Sequence, residues 1–328
     1  LFQWLTGVAP DPSLAFSLQS ATAPIPEPHF EALAAIYQPK KTTYASIEIV
    51  DTPGLSRDQQ GNPAKLAQLR EADALVWVVP VFDSSDPKKE LQAFKDDTVL
   101  ADLEIVLNRI EKVEEANKRP VPKQKHEEFE FELETLKRIQ QGLESGKPLK
   151  EEDLTPEQQR LTRGFRLLTG KPRMLLFNTA DEETDLDKYK TFSEPDAPAA
   201  AVSIRLEREL EAMPVEDRKP FLDEMGLTST DKGAVIKMIL DASGQATFLT
   251  AGTPEIRTWL MPRGGTAIEA AGAIHTDMVK GFIRAEVMRA DDLIRLGSER
   301  AVKAENLVRR EPKDYVVQSG DILLFHFN

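Results

Sequence analysis

The chain has 328 residues, 42 basic and 55 acidic side chains, a net charge of −13 and no cysteine. The missing cysteine excludes disulfide scaffolds, thiolate metal sites and cysteine nucleophiles, and 41% hydrophobic against 30% charged content excludes global disorder. Residues 246–328 carry 11 basic and 11 acidic groups, so the whole acid excess lies in 1–245, a region that repels polyanions.

The elements run as follows. Leu1 to Gly7 reads as a helix already under way, and no basic stretch with an apolar core precedes it. Residues 8–28 are rich in Pro, Ser and Ala and predict a loop. Phe30 to Tyr37 predicts a short helix, and the β-branched run Tyr44 to Val50 a buried strand. A turn, Asp51-Thr52-Pro53-Gly54-Leu55, follows, and then a loop and a helix over Ala64 to Ala72. Ala74 to Phe82 is continuously apolar, as in a strand covered on both faces of a parallel sheet. It is too short to cross a bilayer, which takes about 20 residues. No membrane partner and a reducing, cytoplasmic location are therefore expected.

From residue 85 to 165 the pattern changes. Leu103, Val106, Ile110 and Val113 have coiled-coil spacing. Arg119-Pro120-Val121-Pro122 breaks the helix. Phe129, Leu133, Leu136 and Leu143 resume the seam, interrupted by Gln140. An antiparallel helical hairpin is predicted. Residues 173–178 predict a strand ending in Asn178, and Ala199 to Arg205 a strand end leading into a helix through Leu210. Helices are expected over Glu216 to Leu227 and Lys232 to Ser243. The remainder predicts a small α+β domain with one helix, Thr266 to His275, and strands at Ile256 to Leu260, Phe282 to Met288, Tyr315 to Val317 and Ile322 to Phe327.

Two turns carry candidate chemistry. A strand that delivers Asp51 to a sheet edge, with Gly54 three residues on, has the spacing of a nucleotide-triphosphate switch. There the Asp orients Mg²⁺ through water and the Gly N–H meets the γ-phosphate. The alternative is an ordinary strand-to-turn exit. The second is Asn178-Thr179-Ala180-Asp181, with the spacing of a purine-reading loop in which the carboxylate accepts from the base. The alternative is an acidic loop after a strand. His275 and Asp277, two residues apart, are expected to have a structural or RNA-contacting role, with metal or acid–base work as the alternative. Lys280, Arg284, Arg289, Arg309 and Arg310 are candidate RNA-phosphate contacts, with solvated surface as the alternative.

The order of the two turns, the helical insertion beginning ADLEIVLNRIEKVE, and above all FLTAGTPEIRTW, AIHTDMVKGFIRAEV and KDYVVQSGDILLFHFN resemble the YchF or Obg-like ATPase family of P-loop proteins. The resemblance covers essentially the whole chain. It implies an α/β fold: a P-loop NTPase core of the Ras-like G-domain type (1–84 and 166–244), an inserted antiparallel coiled-coil arm (85–165) and a C-terminal α+β TGS domain of β-grasp fold (245–328). It also implies Mg²⁺ and ATP, or GTP, as cofactors and a ribosome or RNA partner reached through the TGS domain and arm. Residue by residue, Asp51 and Gly54 match the Mg²⁺ and γ-phosphate turn, and Asn178 and Asp181 match the base-reading loop. Ser203 and Ile204 match the loop that backs the base. Leu55 stands where typical GTPases carry a water-orienting Gln; a leucine cannot hydrogen-bond a nucleophile, so slow hydrolysis is expected.

The chain departs from the family at three places. Asp181 is one methylene shorter than the family's Glu, which bears on the preference for adenine. The switch stretch Ala15 to Pro26 has no clean match, with Ser17, Ser20 and Thr22 as candidates. No G-x-x-x-x-G-K-[ST] occurs in these residues, and Leu1-Phe2 resembles the stretch just after that motif. An upstream phosphate loop is therefore expected, and poor nucleotide binding by these residues without it. The function expected is a slow Mg²⁺-dependent NTPase acting as a ribosome- or RNA-linked switch. The alternative is a non-catalytic ribosome- or protein-binding module with a degenerate nucleotide site.

Overall fold

The computed structural model describes residues 1–14, 17–52, 62–83, 85–183, 185–195 and 197–328. The chain divides into two compact units, one of Leu1–Thr52 with Asp231–Asn328 and one of Pro53–Thr230. The mixed α/β fold expected from the sequence is the fold found.

The Pro53–Thr230 unit is built on three parallel strands in the order Leu75–Pro80, Arg173–Asn178, Ala199–Val202. Met174, Leu175, Leu176 and Phe177 are all buried, the pattern of a central parallel strand covered on both faces. Leu75, Trp77 and Val79 pack beside Phe177 and Tyr189 in one core. Pro80 closes its strand, where a missing N–H disturbs the ladder least.

Between the first two strands the chain leaves in the helix Pro87–Asn117 and returns in Lys123–Glu144. Asp86 caps the first helix by accepting from Lys88 N at 3.0 Å, with Pro87 in the first turn. The helices run antiparallel: His126 meets Asn117 at 2.6 Å, and Glu132 meets Arg109 at 2.5 Å. Val106 and Ile110 pack on Leu136, Ile139 and Leu143. The second seam differs from the expected one. Ile139 takes the place between Leu136 and Leu143 because it lies one turn from each. Phe129 is half-buried, with Lys125 Nζ 5.2 Å from its ring centre.

The base of the arm is fixed by a charged cluster. Asp102 of the first arm helix is fully buried and pairs with Arg70 at 2.6 Å. Arg70 closes the helix Asn62–Glu71. Asp102 also accepts from Leu168 N at 3.0 Å and from Thr169 N and Thr169 Oγ1, each at 2.8 Å. Arg70 donates further to the Ala101 and Arg166 carbonyls, each at 3.1 Å. With each carboxylate oxygen and both terminal guanidinium nitrogens engaged, the buried charges are compensated.

The other unit carries a six-stranded sheet in the order Arg309–Glu311, Phe282–Arg289, Asp321–Phe327, Gln245–Thr250, Ile256–Pro262, Thr42–Thr43. Ala267–Ile274 covers one face through Ala267 and Ala270 against Phe248, Ala285 and Val287. Phe30–Tyr37 and Ala290–Leu296 cover the other through Phe30, Leu33 and Leu293 against Leu249, Ile256 and Ile322.

Four expectations are corrected here. Residues 8–28 are not all loop: Gln19–Pro24 is a strand, antiparallel to Ser46–Asp51. Its sequence holds no large apolar residue, so the ladder rather than side-chain burial makes it a strand. Ser46–Asp51 is itself no buried strand; its residues alternate between half-buried and exposed, and Val50 is exposed. Tyr315 to Val317 forms only an isolated bridge between Val316 and Thr266. Tyr315 instead donates its hydroxyl to Asp321 at 2.7 Å. The neighbouring ladder is taken by the charged edge strand Arg309–Glu311, a composition that discourages further pairing. The C-terminal part holds Thr276–Lys280, Ala290–Leu296 and Glu299–Ala304 as helices besides the one expected; each is too short to show a period.

Candidate functional site

The parallel strands of the Pro53–Thr230 unit deliver polar residues at their C-terminal ends, where open α/β sheets hold ligands. Asn178 ends its strand. Ser203 follows the neighbouring strand and caps the helix Ile204–Ala212 by accepting from Leu206 N at 3.3 Å. The two loops are tied together. Asn178 Oδ1 accepts from Ile204 N at 3.3 Å, and the Ser203 hydroxyl donates to Asp181 Oδ1 at 2.5 Å. Thr179 N donates to the Val202 carbonyl at 3.0 Å. Asn178, Asp181, Ser203 and Ile204, predicted as one base-reading group, are thus brought together.

Asp181 keeps about a fifth of its side chain exposed, 22%. Its second oxygen, Oδ2, lies 3.3 Å from Arg205 Nε, a partner that sequence reasoning missed. The missed signal was the spacing Arg205 to Glu209, an i,i+4 ion pair that fixes the guanidinium at 3.2 Å from Glu209. The Glu209 hydrogen bond, then Asp181, hold Arg205 above the usual guanidinium range. Thr179 is buried, and its hydroxyl has no hydrogen-bond partner.

One turn along the same helix, buried Glu207 accepts from Thr230 N and from the Ser229 hydroxyl at 3.2 Å. Burial pushes its carboxyl above the ordinary 4.5 despite these donors. The folded chain therefore holds this proton to higher pH than the unfolded chain. Its contribution to stability is fully present below about pH 4.5 and is lost as pH rises through the folded value. Glu207→Gln is expected to gain on the parent protein as pH rises from 4 to 8, by at most about 1.4 kcal/mol per pH unit. Urea midpoints across that range check this; a variant-minus-parent stability difference that stays flat or falls as pH rises contradicts it.

Asp51 ends the strand Ser46–Asp51 with its side chain exposed, opposite Gln19 in the ladder. Gly54 and Leu55 lie outside the described residues, and so do Ala15 and Phe16 of the switch stretch. Among the described residues no group of three acidic or histidine side chains is arranged to hold a metal. A lone exposed carboxylate suits Mg²⁺ held through water, an ion that keeps much of its hydration and leans on substrate phosphates.

On the six-stranded sheet, the expected basic residues are largely engaged. Arg289 and Arg309 face buried Asp321 at 3.2 and 3.6 Å. Arg284 and Arg310 lie 3.9 and 3.7 Å from Glu286. Lys280 is exposed, 3.5 Å from Asp277. Among the described residues no helix is long and apolar enough to cross a membrane.

Comparison with known proteins gives a consistent picture. Residues 246–328 match the family described as "YchF-GTPase_C: Protein of unknown function (DUF933)". The chain is 31% identical to the "Ribosome-binding ATPase YchF" of Bacillus subtilis (strain 168) over 325 residues, covering 93% of this chain and 87% of that protein. It is 34% identical to "Obg-like ATPase 1" of Oryza sativa subsp. japonica over 326 residues, covering 93% of this chain and 81% of that one. The fold is similar to that of the Schizosaccharomyces pombe YchF GTPase, with a TM-score of 0.80 at 24% identity over 99% of this chain and 92% of that one.

Proposed function

Since the chain belongs to the YchF/Obg-like ATPase family, we propose that it binds a purine nucleoside triphosphate with Mg²⁺, ATP in preference to GTP, hydrolyses it slowly, and works as a ribosome- or RNA-linked switch in the cytoplasm. The observation that carries this is the bonded pair of loops after two adjacent parallel strands. Asn178 braces Ile204, and Asp181, braced by Ser203, faces partly to solvent. A carboxylate held there accepts from an exocyclic amine of a purine. In this reading Asp51 holds Mg²⁺ through water, and the metal offsets charge on the phosphate oxygens. Gly54 meets the γ-phosphate by its N–H, and Leu55 leaves the attacking water unoriented. The units of function are a core of 1–84 and 166–244, an arm of 85–165 and a TGS domain of 245–328. Lys280 and Arg284 contact ribosomal RNA from the last of these.

The test is calorimetry with Mg-ATP and Mg-GTP on the protein as the cell makes it, followed by phosphate release. Expected are tighter ATP binding and turnover on the order of 10⁻³ s⁻¹ or slower without a stimulating partner. No binding of either nucleotide overturns the reading. A second reading, a docking module without turnover, is favoured by Leu55, which cannot hydrogen-bond a nucleophile, and by the lack of a clean switch match in Ala15 to Pro26. It requires ribosome co-sedimentation that is indifferent to nucleotide.

A further inference from the structure

Asp181 is not a bare carboxylate. Oδ1 is taken by the Ser203 hydroxyl and Oδ2 faces Arg205 Nε at 3.3 Å. The two bases differ in what they ask of such a group. Guanine offers two adjacent donors, N1–H and N2–H₂, which suit both oxygens of a free carboxylate. Adenine offers one donor, N6–H₂, next to one acceptor, N1. A carboxylate with a guanidinium beside it presents an acceptor next to a donor, the complement of adenine. To guanine the same pair presents a donor where the base also donates, and an unmatched donor is penalised heavily.

We propose that Arg205 is a specificity-determining residue: paired with Asp181, it converts a guanine-reading carboxylate into an adenine-reading acceptor–donor pair. This rests on the reading of residues 178–181 as the base loop. The placement is suited to the task. Arg205 sits in the first turn of Ile204–Ala212, whose start is fixed by Ser203 and Asn178. The Arg205 side chain is 79% exposed, so no core depends on it. Glu209 lies at 3.2 Å from the same Nε and competes with Asp181 for it. The Asp181 side chain is shorter than a glutamate's, and Arg205 supplies the donor that the carboxylate lacks.

The experiment measures Mg-ATP and Mg-GTP dissociation constants for the parent protein and for Arg205→Ala, Arg205→Lys, Glu209→Gln and Asn178→Ala. Arg205→Ala is expected to shift the GTP-to-ATP affinity ratio toward GTP by about tenfold or more. Arg205→Lys shifts it less, because an ammonium keeps the charge but not the planar fork. Glu209→Gln moves the ratio the other way, since Arg205 then has Asp181 as its charged partner. A structural role for Arg205 predicts no such opposite pair. If Asn178→Ala weakens both nucleotides but Arg205→Ala leaves the ratio within about twofold, the inference fails and the base loop stands. If Asn178→Ala changes neither affinity, or the parent protein binds neither purine, the base-loop reading fails and takes the inference with it.

Discussion

Replacing Asp102 with alanine is expected to destabilise the Pro53–Thr230 unit by about 3–5 kcal/mol. The change leaves Arg70 charged and buried without its partner, and it strips the acceptor from the Leu168 and Thr169 amides. An unsatisfied buried donor costs about 1–3 kcal/mol by itself. Pairing Arg70→Met with Asp102→Leu restores only part of the loss, because no apolar side chain can accept from those two amides. Urea unfolding of the two single variants and the double variant measures the coupling. Additive losses would mean that Arg70 and Asp102 do not act as a pair.

Phe177→Ala should cost about 3–5 kcal/mol through the cavity it leaves. The ring is fully buried and lies 5.0 Å from Tyr189 and 5.1 Å from Phe192. It also immediately precedes Asn178, so the strand end that carries the base loop loses its anchor. Both purine nucleotides are then expected to weaken together with their ratio unchanged, unlike the effect of Arg205→Ala. Leu100→Ala, at a side chain 65% exposed, should stay within about 0.5 kcal/mol. Equal losses from Phe177→Ala and Leu100→Ala would show that burial does not govern this unit.

What the sequence reveals follows from where the hydrophobic signal is strong. The run Ala74 to Phe82 had enough apolar residues to betray Leu75–Pro80, and the 3-4-3 spacing from Leu103 to Val113 betrayed the arm. Gln19–Pro24 carried no such signal, since its strand character comes from pairing with Ser46–Asp51, a non-local cause. Arg309–Glu311 is all charge and belongs to the sheet only through Phe282–Arg289. At the candidate site the family motif pointed to Asn178, Asp181, Ser203 and Ile204, which do meet. Arg205 was overlooked because its contact with Asp181 spans 24 residues of sequence, and its i,i+4 spacing to Glu209 shows only that its guanidinium is held, not by what else. The Arg70–Asp102 pair was hidden for the same reason.

The arm also bears on how the sheet assembles. Trp77 lies opposite Leu175 in the parallel ladder, and roughly 100 residues of chain must close before the two can meet. Most of that span is the helical hairpin, whose contacts are local and whose helices can zip from the Lys118–Pro122 turn within microseconds. Once zipped, the hairpin returns the chain to Asp102 and Leu168 at its own foot, and the diffusive search that remains is that of a short loop. In kinetic terms the insertion lowers the effective contact order of the sheet it interrupts.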